Sequence, residues 1–379
     1  MLEELFDDSL AIDPVAQTAE ILKPLPPCKG VILFADENDM PIQLLICANI
    51  RRTAAHRLFT KEPAAVKKRA DISRIVRRIY YRSSYNDFAS SLAHYRIAKV
   101  LYPDTYNEHL TLPRQTYVKI DPAAKWPFFS LTDKPSDLAG ENVFGLFPSR
   151  KAAAEFIQIL QDVFCLCQRP RLLASGRDFA TCPYLQMATC CAPCVGKMKR
   201  DVYISQITDA ICAAAGDIEK QTAKLKEKME KAAHQRLFEQ AQSLKKRLER
   251  LKGLTCDDYR WTMRLSALTI LHIDRSAKIA TEGKRKKTRT YAGFLIRAGL
   301  VTELGDFRLD EFDKFYKSFT AKLSVPGGLI DPKEPAEHLS LLAWHLYRSK
   351  PAGVWLDCSK TRTTPREDEI KNAILERFE

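Results

Sequence analysis

Six of the 11 cysteines in this chain lie close together, at positions 165, 167, 182, 190, 191 and 194. The N-terminal stretch MLEELFDDSLAIDP is acidic and lacks a basic start followed by an apolar core, so we expect no secretory signal. No apolar run is long enough to span a bilayer, and a cytoplasmic location is expected. Because disulfides are rare in that compartment, clustered thiols indicate a metal site or redox chemistry.

The spacing of these cysteines narrows the choice of site. Cys182, Cys190 and Cys194 follow C-x7-C-x3-C, with Cys167 or Cys165 available as a fourth ligand. A thioredoxin-like redox pair is disfavoured because that motif needs a βαβ setting. Uneven spacing over a loop suits a [4Fe–4S] cluster, whereas structural zinc sites use two close cysteine pairs. Spacing alone therefore favours iron–sulfur slightly over zinc. The alternative zinc site would use Cys165, Cys167, Cys191 and Cys194.

Net charge points to a class of partner. The chain carries a formal net charge of +13, and 28% of its residues are charged. This excess suits a polyanion, most simply nucleic acid, although a merely soluble basic protein would share it. The sequence has no G-x-x-x-x-G-K-[ST] motif, so we expect no nucleotide cofactor and no motor or ATPase function.

Hydrophobic patterning predicts a small α/β domain at the N-terminus. Residues 30–47 have the pattern of two strands around a polar turn, a basic helical stretch follows at 67–82, and residues 88–102 have helical spacing. A strand at 117–120 and an amphipathic helix at 148–164 lead into the cysteines.

The predicted secondary structure changes twice in the second half of the chain. Residues 201–252 are predicted to be helical, and two apolar stripes change phase near residues 234–236, which indicates an antiparallel helical hairpin. From about residue 255, segments with strand and helix patterns are mixed in an α+β arrangement.

The cysteine segment resembles a known family. CPYLQMATCCAPCVG is similar to P-C-L-x-Y-Q-I-x-R-C-x-A-P-C-V-G in the C subunit of the bacterial UvrABC excinuclease, and NVFGLFPSRKAAAEFIQILQDVFCLC is similar to the segment that precedes it there. The resemblance implies that Cys167, Cys182, Cys190 and Cys194 ligate a [4Fe–4S] cluster, with Cys165 as the rival first ligand.

The helical hairpin resembles the UVR motif of the same family. LKEKMEKAAHQRLFEQAQSLKKRLERLKGL is similar to L-x-x-x-M-x-x-A-A-x-x-x-x-F-E-x-A-A-x-L-R-D-x-I, with Lys245-Lys246 at the family's Arg-Asp. The family's hairpin docks on the B subunit, and a short hairpin alone cannot bury its apolar stripe. The alternative is a coiled-coil arm packed on its own chain. The partner-binding candidates are Leu225, Met229, Phe238, Ala241, Leu244 and Leu248.

The N-terminal region resembles the family's GIY-YIG nuclease domain. LPPCKGVILF and LLICANIRRTAAHRLF match its two strand motifs, but aliphatic residues replace both tyrosines. Arg51 matches the arginine that offsets charge on the scissile phosphate, and His94 falls on the metal-binding glutamate. Because histidine is a poor ligand for magnesium, the nuclease is expected to be inactive. Rescue by His94 with a softer metal, or by Asp104 or Glu108, stays open.

Basic segments supply candidate contacts to the DNA backbone. The run at 67–82 and the loop TEGKRKKTRTY combine Lys and Arg with tyrosines, which suits phosphate contact and base stacking. Solvated charged faces are the alternative. The candidates are Arg51, Lys67, Lys68, Lys284, Arg285, Lys286 and Lys287.

The predicted architecture has four segments. They are an α/β, GIY-YIG-like domain at 1–110, a linker helix with the Cys-rich Fe–S segment at 111–200, an α-helical region with the UVR hairpin at 201–254, and an α+β C-terminal domain at 255–379. The last resembles the family's connecting segment. No counterpart of the family's RNase-H-like nuclease or helix-hairpin-helix module is recognised.

The expected function is double-stranded DNA binding in nucleotide excision repair, as an accessory factor without nuclease activity and with a UvrB-like partner. One alternative is an active single-incision nuclease, which would need a divalent metal at an altered site. Another is a scaffold that uses the hairpin and has no role on DNA.

Overall fold

Three antiparallel four-stranded sheets and the helices between them make up the described part of the computed structural model. It covers residues 2–13, 19–59, 70–110, 112–169, 182–187, 190, 193–195, 198–280, 287–324, 333–359 and 365–378. Mixed helix and sheet content was predicted and is observed. None of the helices in these ranges is long and apolar enough to cross a bilayer.

The N-terminal sheet has the strand order β1-β4-β2-β3. Its elements are α1 (Leu2–Leu5), β1 (Asp8–Ala11), β2 (Gly30–Ala35), β3 (Pro41–Cys47), α2 (Ile50–Phe59), β4 (Arg78–Ser83) and α3 (Asp87–Leu101). Strand β2 is buried along its whole length because one apolar cluster, with α2, covers one face and a second, with α3, covers the other. A central strand covered on both faces is therefore a continuous apolar run, GVILFA.

The helix predicted at 67–82 is wrong in its described part. Residues 78–83 form β4, between β1 and β2. Ile79 and Tyr81 pack into the cluster on the α2 side, and Tyr80 packs into the cluster on the α3 side. This alternation has the period of a strand, and its β-branched and aromatic residues favour one. The flanking arginines obscure this alternation in the sequence.

The middle of the chain carries a second small sheet, ordered β6-β5-β7-β8. The elements are α4 (Tyr106–His109), β5 (Tyr117–Lys119), β6 (Ser130–Thr132), β7 (Val143–Gly145), α5 (Arg150–Phe164), α6 (Pro183–Gln186), α7 (Arg200–Ala214), α8 (Ile218–His234), α9 (Phe238–Lys252) and β8 (Met263–Arg264). Ser149 caps the N-terminus of helix α5, and its side chain accepts a hydrogen bond from the Ala152 N–H. One apolar core joins α5, α7, α8 and α9.

The C-terminal sheet has the order β11-β10-β9-β12. Its elements are β9 (Thr269–Ile279), β10 (Thr288–Arg297), β11 (Leu300–Phe307), α10 (Phe312–Ser324), α11 (Lys333–Leu346), β12 (Val354–Asp357) and α12 (Glu367–Phe378). Ala298 and Gly299, both with positive φ, make the two-residue turn between β10 and β11. One face of the sheet packs on α10 and α12, and the other packs on α11 and on α3 of the N-terminal region. Helix α3 is therefore shared between the two ends of the chain.

Candidate functional site

The nuclease-like motifs meet on β2, β3 and α3. Ile32 pairs directly with Leu45 across the two strands, so the positions that hold tyrosines in the family are adjacent and both aliphatic. Cys47, at the position of a family glycine, is buried, and its thiol donates to the Gly30 carbonyl at 3.4 Å. The strands therefore keep their pairing and offer no hydroxyl at these two positions.

His94 lies on the inward side of α3 and is only 9% exposed. Burial lowers the pKa of its imidazole to about 4, although a hydrogen bond donated to the Leu44 carbonyl favours the protonated ring. At neutral pH the ring is therefore uncharged and tied to β3. Asp104 and Glu108, the possible substitute carboxylates, are exposed residues that do not line the cavity around His94.

Arg51 uses its guanidinium group on the backbone of its own chain. Its Nε donates to the Leu25 carbonyl at 2.7 Å, and an Nη donates to the Lys23 carbonyl at 2.6 Å. These bonds tie α2 to the segment that enters β2. A phosphate contact by Arg51 would use only its remaining N–H groups.

Helix α11, from the C-terminal region, lies beside His94. The Tyr95 hydroxyl donates to Glu337 at 2.7 Å, and an Nη of Arg348 lies 3.3 Å from Asp87. Tyr106 donates to the same Glu337 carboxylate at 2.6 Å. Three polar contacts with partners in α3 and α4 thus hold α11 and the turn after it against the nuclease-like face, which is the surface formed by β2, β3 and α3.

A cavity of about 550 Å³ remains between these elements. It is lined by Leu44, Asp87 and His94 of the N-terminal region and by Leu341 and Trp344 of α11. Trp344 is 55% exposed, and the Arg348 guanidinium lies 5.2 Å from its ring centroid. Sequence analysis missed Trp344 and Arg348. The only local signal was a Trp and an Arg four residues apart in AWHLYR, which is also common on a helix surface.

The cysteine segment follows α5. That helix ends at Cys165, in the left-handed conformation, and the Gln161 side chain donates to the Cys167 carbonyl at 3.2 Å. Cys165 and Cys167 are both buried. A hydrogen bond with Cys190, burial and the proximity of Cys194 all raise the pKa of the Cys167 thiol. Three of the four predicted ligands are therefore neighbours.

The fourth predicted ligand, Cys182, is half-buried at the start of α6. Among the residues that the structure describes, no group of three or more His, Cys, Asp or Glu side chains is arranged to hold a metal ion. The donor chemistry, several thiols around a buried one, fits iron–sulfur and zinc alike. Cys191 lies outside the described residues.

The hairpin of α8 and α9 is covered along much of its length by its own chain. Leu225 and Leu248 are buried in the core with α5 and α7, and Met229 and Leu244 pack against that core. Phe238, at the start of α9, is 69% exposed and is the largest apolar side chain that the hairpin leaves uncovered. Ala241 is half-buried.

Five of the seven predicted DNA-contact residues lie outside the described part of the chain: Lys67, Lys68, Lys284, Arg285 and Lys286. Lys287 is exposed just before β10.

Comparison with known proteins identifies the middle of the chain. Residues 115–213 match the family described as UvrC/Cho excinuclease, middle domain. The "UvrABC system protein C" of Legionella pneumophila (strain Paris) is 26% identical over 62% of this chain and 38% of its own length. The protein of that name from Nautilia profundicola is 25% identical over 69% and 42%, respectively. That from Syntrophus aciditrophicus is 30% identical over 36% and 22%.

The chain is thus similar to UvrC proteins, and the match to the family model lies in its middle segment. Its middle segment, with β5 to β7, α5, the cysteines and α7, corresponds to the UvrC/Cho middle domain. The chain spans less than half the length of the curated relatives that it matches. No solved structure matches it.

Proposed function

We propose that this protein binds double-stranded DNA in a process related to nucleotide excision repair, as an accessory factor without nuclease activity. The relatives named above, which carry the name of an excision system, support the process. The single observation that carries the loss of activity is His94, which is buried, uncharged and bonded to a backbone carbonyl at the position of the family's metal-binding glutamate.

The chemistry of phosphodiester cleavage explains why these changes matter. A carboxylate must hold a hard divalent ion that neutralises the phosphate, and a hydroxyl must help to activate water. Here an imidazole replaces the carboxylate, aliphatic Ile32 and Leu45 replace the hydroxyls, and Arg51 already donates to two carbonyls. These replacements support the proposal that the nuclease-like region has no cleavage activity.

Charge supports the DNA-binding part of the proposal. A net charge of +13 gives a long-range attraction to duplex DNA, and the segments around residues 67–68 and 284–287 supply Lys and Arg for phosphates. Binding through phosphates does not require catalysis. Binding through phosphates also predicts that the affinity for DNA falls steeply as the salt concentration rises.

We propose a [4Fe–4S] cluster on Cys167, Cys182, Cys190 and Cys194, with zinc as the alternative. The proximity of Cys167, Cys190 and Cys194 supports a shared site. When bound, the cluster would act as a structural cross-link. The cysteines would then join the end of α5 to the start of α7.

For the partner, we propose a UvrB-like protein that contacts the tip of the hairpin. Leu237 and Phe238 are exposed there, whereas the stripe residues nearer the base are covered by α5 and α7. Because Leu237 and Phe238 are adjacent, they form a small contiguous apolar patch of the kind that a partner would cover. A docking face limited to the tip is smaller than the whole stripe suggested by the sequence.

The test is a nicking and binding assay on damaged duplex DNA, with protein purified anaerobically. Nicking is measured with magnesium and with manganese, in the presence and absence of UvrA- and UvrB-type proteins. We expect binding without nicks, and an affinity that falls steeply between 50 and 200 mM salt, by roughly 10³-fold if six or more phosphates are contacted. Nicking that is lost in both Arg51→Ala and His94→Ala would show an active nuclease. Absence of duplex binding at low salt would leave only the scaffold alternative.

A further inference from the structure

We propose that the cavity between α3 and α11 binds an unstacked nucleobase, carried by a single nucleic-acid strand or by a free nucleotide. For a base within a strand, the proposal rests on the proposed DNA binding and names the subsite that would hold the base. For a free nucleotide, the proposal does not depend on DNA binding.

The size of the cavity fits such a ligand. Its volume of about 550 Å³ lies inside the range of roughly 300–1,000 Å³ that is usual for small-molecule sites. Its walls come from distant parts of the chain: Leu44 from β3, His94 from α3, Leu110 from the segment after α4, and Leu341 from α11. The cavity therefore forms only when α11 is docked.

The rim offers a surface for stacking. Trp344 is 55% exposed, which is unusual for so large an apolar side chain, and Arg348 lies over its ring at 5.2 Å from the centroid. Exposed aromatic rings next to arginine are what proteins use to stack single bases without reading their sequence. Both side chains line the cavity.

The polar side chains that line the cavity include hydrogen-bond acceptors; they are Asp87, Ser91, His94, Tyr95, His109 and Arg348. Asp87 contributes a carboxylate. One ring N–H of His94 donates to the Leu44 carbonyl, so the other ring nitrogen is an acceptor in the neutral ring. Base amino groups are hydrogen-bond donors that match these acceptors. Lys29 and Arg348 both pair with Asp87, which leaves one net positive charge for the phosphate of a nucleotide.

An apolar side chain of a partner protein is the competing occupant. It would suit the leucine walls, but it would leave the acceptor nitrogen of His94 without a donor, whereas Asp87 already pairs with Lys29 and Arg348. Burying an unsatisfied polar group costs roughly 1–3 kcal/mol. A planar ligand with N–H donors avoids that cost, so the lining favours a base.

The test measures binding of AMP, CMP, a 20-nucleotide single strand and the matching duplex to the full chain, by calorimetry and fluorescence anisotropy. We expect Trp344→Ala to weaken AMP or single-strand binding by about tenfold or more, because the stacked ring is lost. His94→Leu keeps the packing but removes the acceptor, and should weaken binding by about threefold or more. Met40→Ala, an equally exposed apolar residue outside the cavity, is the control and should change nothing.

The outcomes separate this proposal from the proposed function. AMP or single-strand binding that depends on Trp344 supports the cavity site, and the arm that responds identifies the source of the base. The same result without duplex binding upholds the cavity and removes the duplex-binding function. Duplex binding with no AMP or single-strand binding, or with affinities equal in Trp344→Ala, overturns the cavity site and leaves the function intact. Absence of all binding overturns both. Because Trp344 is largely exposed, its variant should fold, which circular dichroism checks.

Discussion

The nuclease-like face and the cysteine segment carry opposite kinds of change. On the nuclease-like face the strands are paired and α3 is formed, but the residues at the positions proposed for chemistry are aliphatic or buried, as at Ile32, Leu45 and His94. In the cysteine segment the candidate ligands are all present, and three of them are neighbours. A fold needs its apolar pattern, whereas a reaction needs particular polar atoms, so the two can be lost independently.

The largest expected effect concerns the cysteine segment. Cys182→Ser removes one proposed ligand, and we expect it to lose most of the bound iron and brown colour or most of the soluble protein, because a thiolate is far the better ligand for iron–sulfur clusters. Iron content and visible absorbance measure this. Cys256→Ser, at an exposed cysteine, is the matched control. Equal yield and colour in both variants would show that Cys182 is not a ligand. The contrast between the cysteine segment and the nuclease-like face would then fail.

The second prediction concerns the cover over the nuclease-like face. Glu337→Ala leaves the Tyr95 and Tyr106 hydroxyls without their acceptor, and we expect the free energy of unfolding to fall by about 3 kcal/mol. Urea denaturation measures it. Glu334→Ala, on the same helix, removes a partly exposed ion pair with Lys99 and a 3.8 Å contact with the neutral His338 ring, and should cost less than about 1 kcal/mol. Equal losses in the two variants would mean that α11 is not held by these contacts.

The third prediction concerns pH. Burial holds the pKa values of four histidines at about 3 to 4, below the unfolded value near 6.5. They are His94, His272, His338 and His345. Since only the unfolded chain takes up these protons at mildly acidic pH, the stability present above pH 6.5 is lost as the pH falls towards 4. Each histidine contributes about 2 kcal/mol of loss by pH 5.

Chemical denaturation at pH 7, 6 and 5 tests this slope. Burial raises the pKa values of Asp274 and Asp306, which acts in the opposite direction and makes the fall shallower. His345→Gln removes one titrating group near Ser91 and should flatten the curve. A stability that is constant from pH 7 to 5 would contradict the buried, neutral state of these rings.

The smallest expected effect is the most direct test of the nuclease-like face. His94→Glu restores the family's residue, yet we expect no gain in nicking above background, because Ile32 and Leu45 provide no hydroxyl and α11 remains beside the site. A plasmid nicking assay with magnesium and manganese measures it. Nicking restored by this one substitution would show that a single side chain, and not the whole face, separates this protein from a nuclease.

Some of these features were readable from the sequence and others were not. The strands at 30–47, the helix capped by Ser149 and the turn of the hairpin near Arg236 all follow from patterns within a few residues. Strand β4 was mistaken for a helix because its arginines hid an alternation that only its two covered faces explain. The exposed tip at Phe238 and the covered base at Leu248 have similar apolar sequence, and only the packing distinguishes them.

The sequence by itself determined the local elements, the clustered thiols and the replacement of the family's motif tyrosines and glutamate by Ile32, Leu45 and His94, because each of these depends on the residue types at neighbouring positions. Only the tertiary structure decided that α11 would lie beside His94 and enclose a cavity with Trp344 at its rim. Tyr95 and Glu337, which join those two regions, are 242 residues apart. A contact over that distance leaves no periodic signal in the chain, because it is selected by the shape and burial of the two surfaces once the sheets have formed.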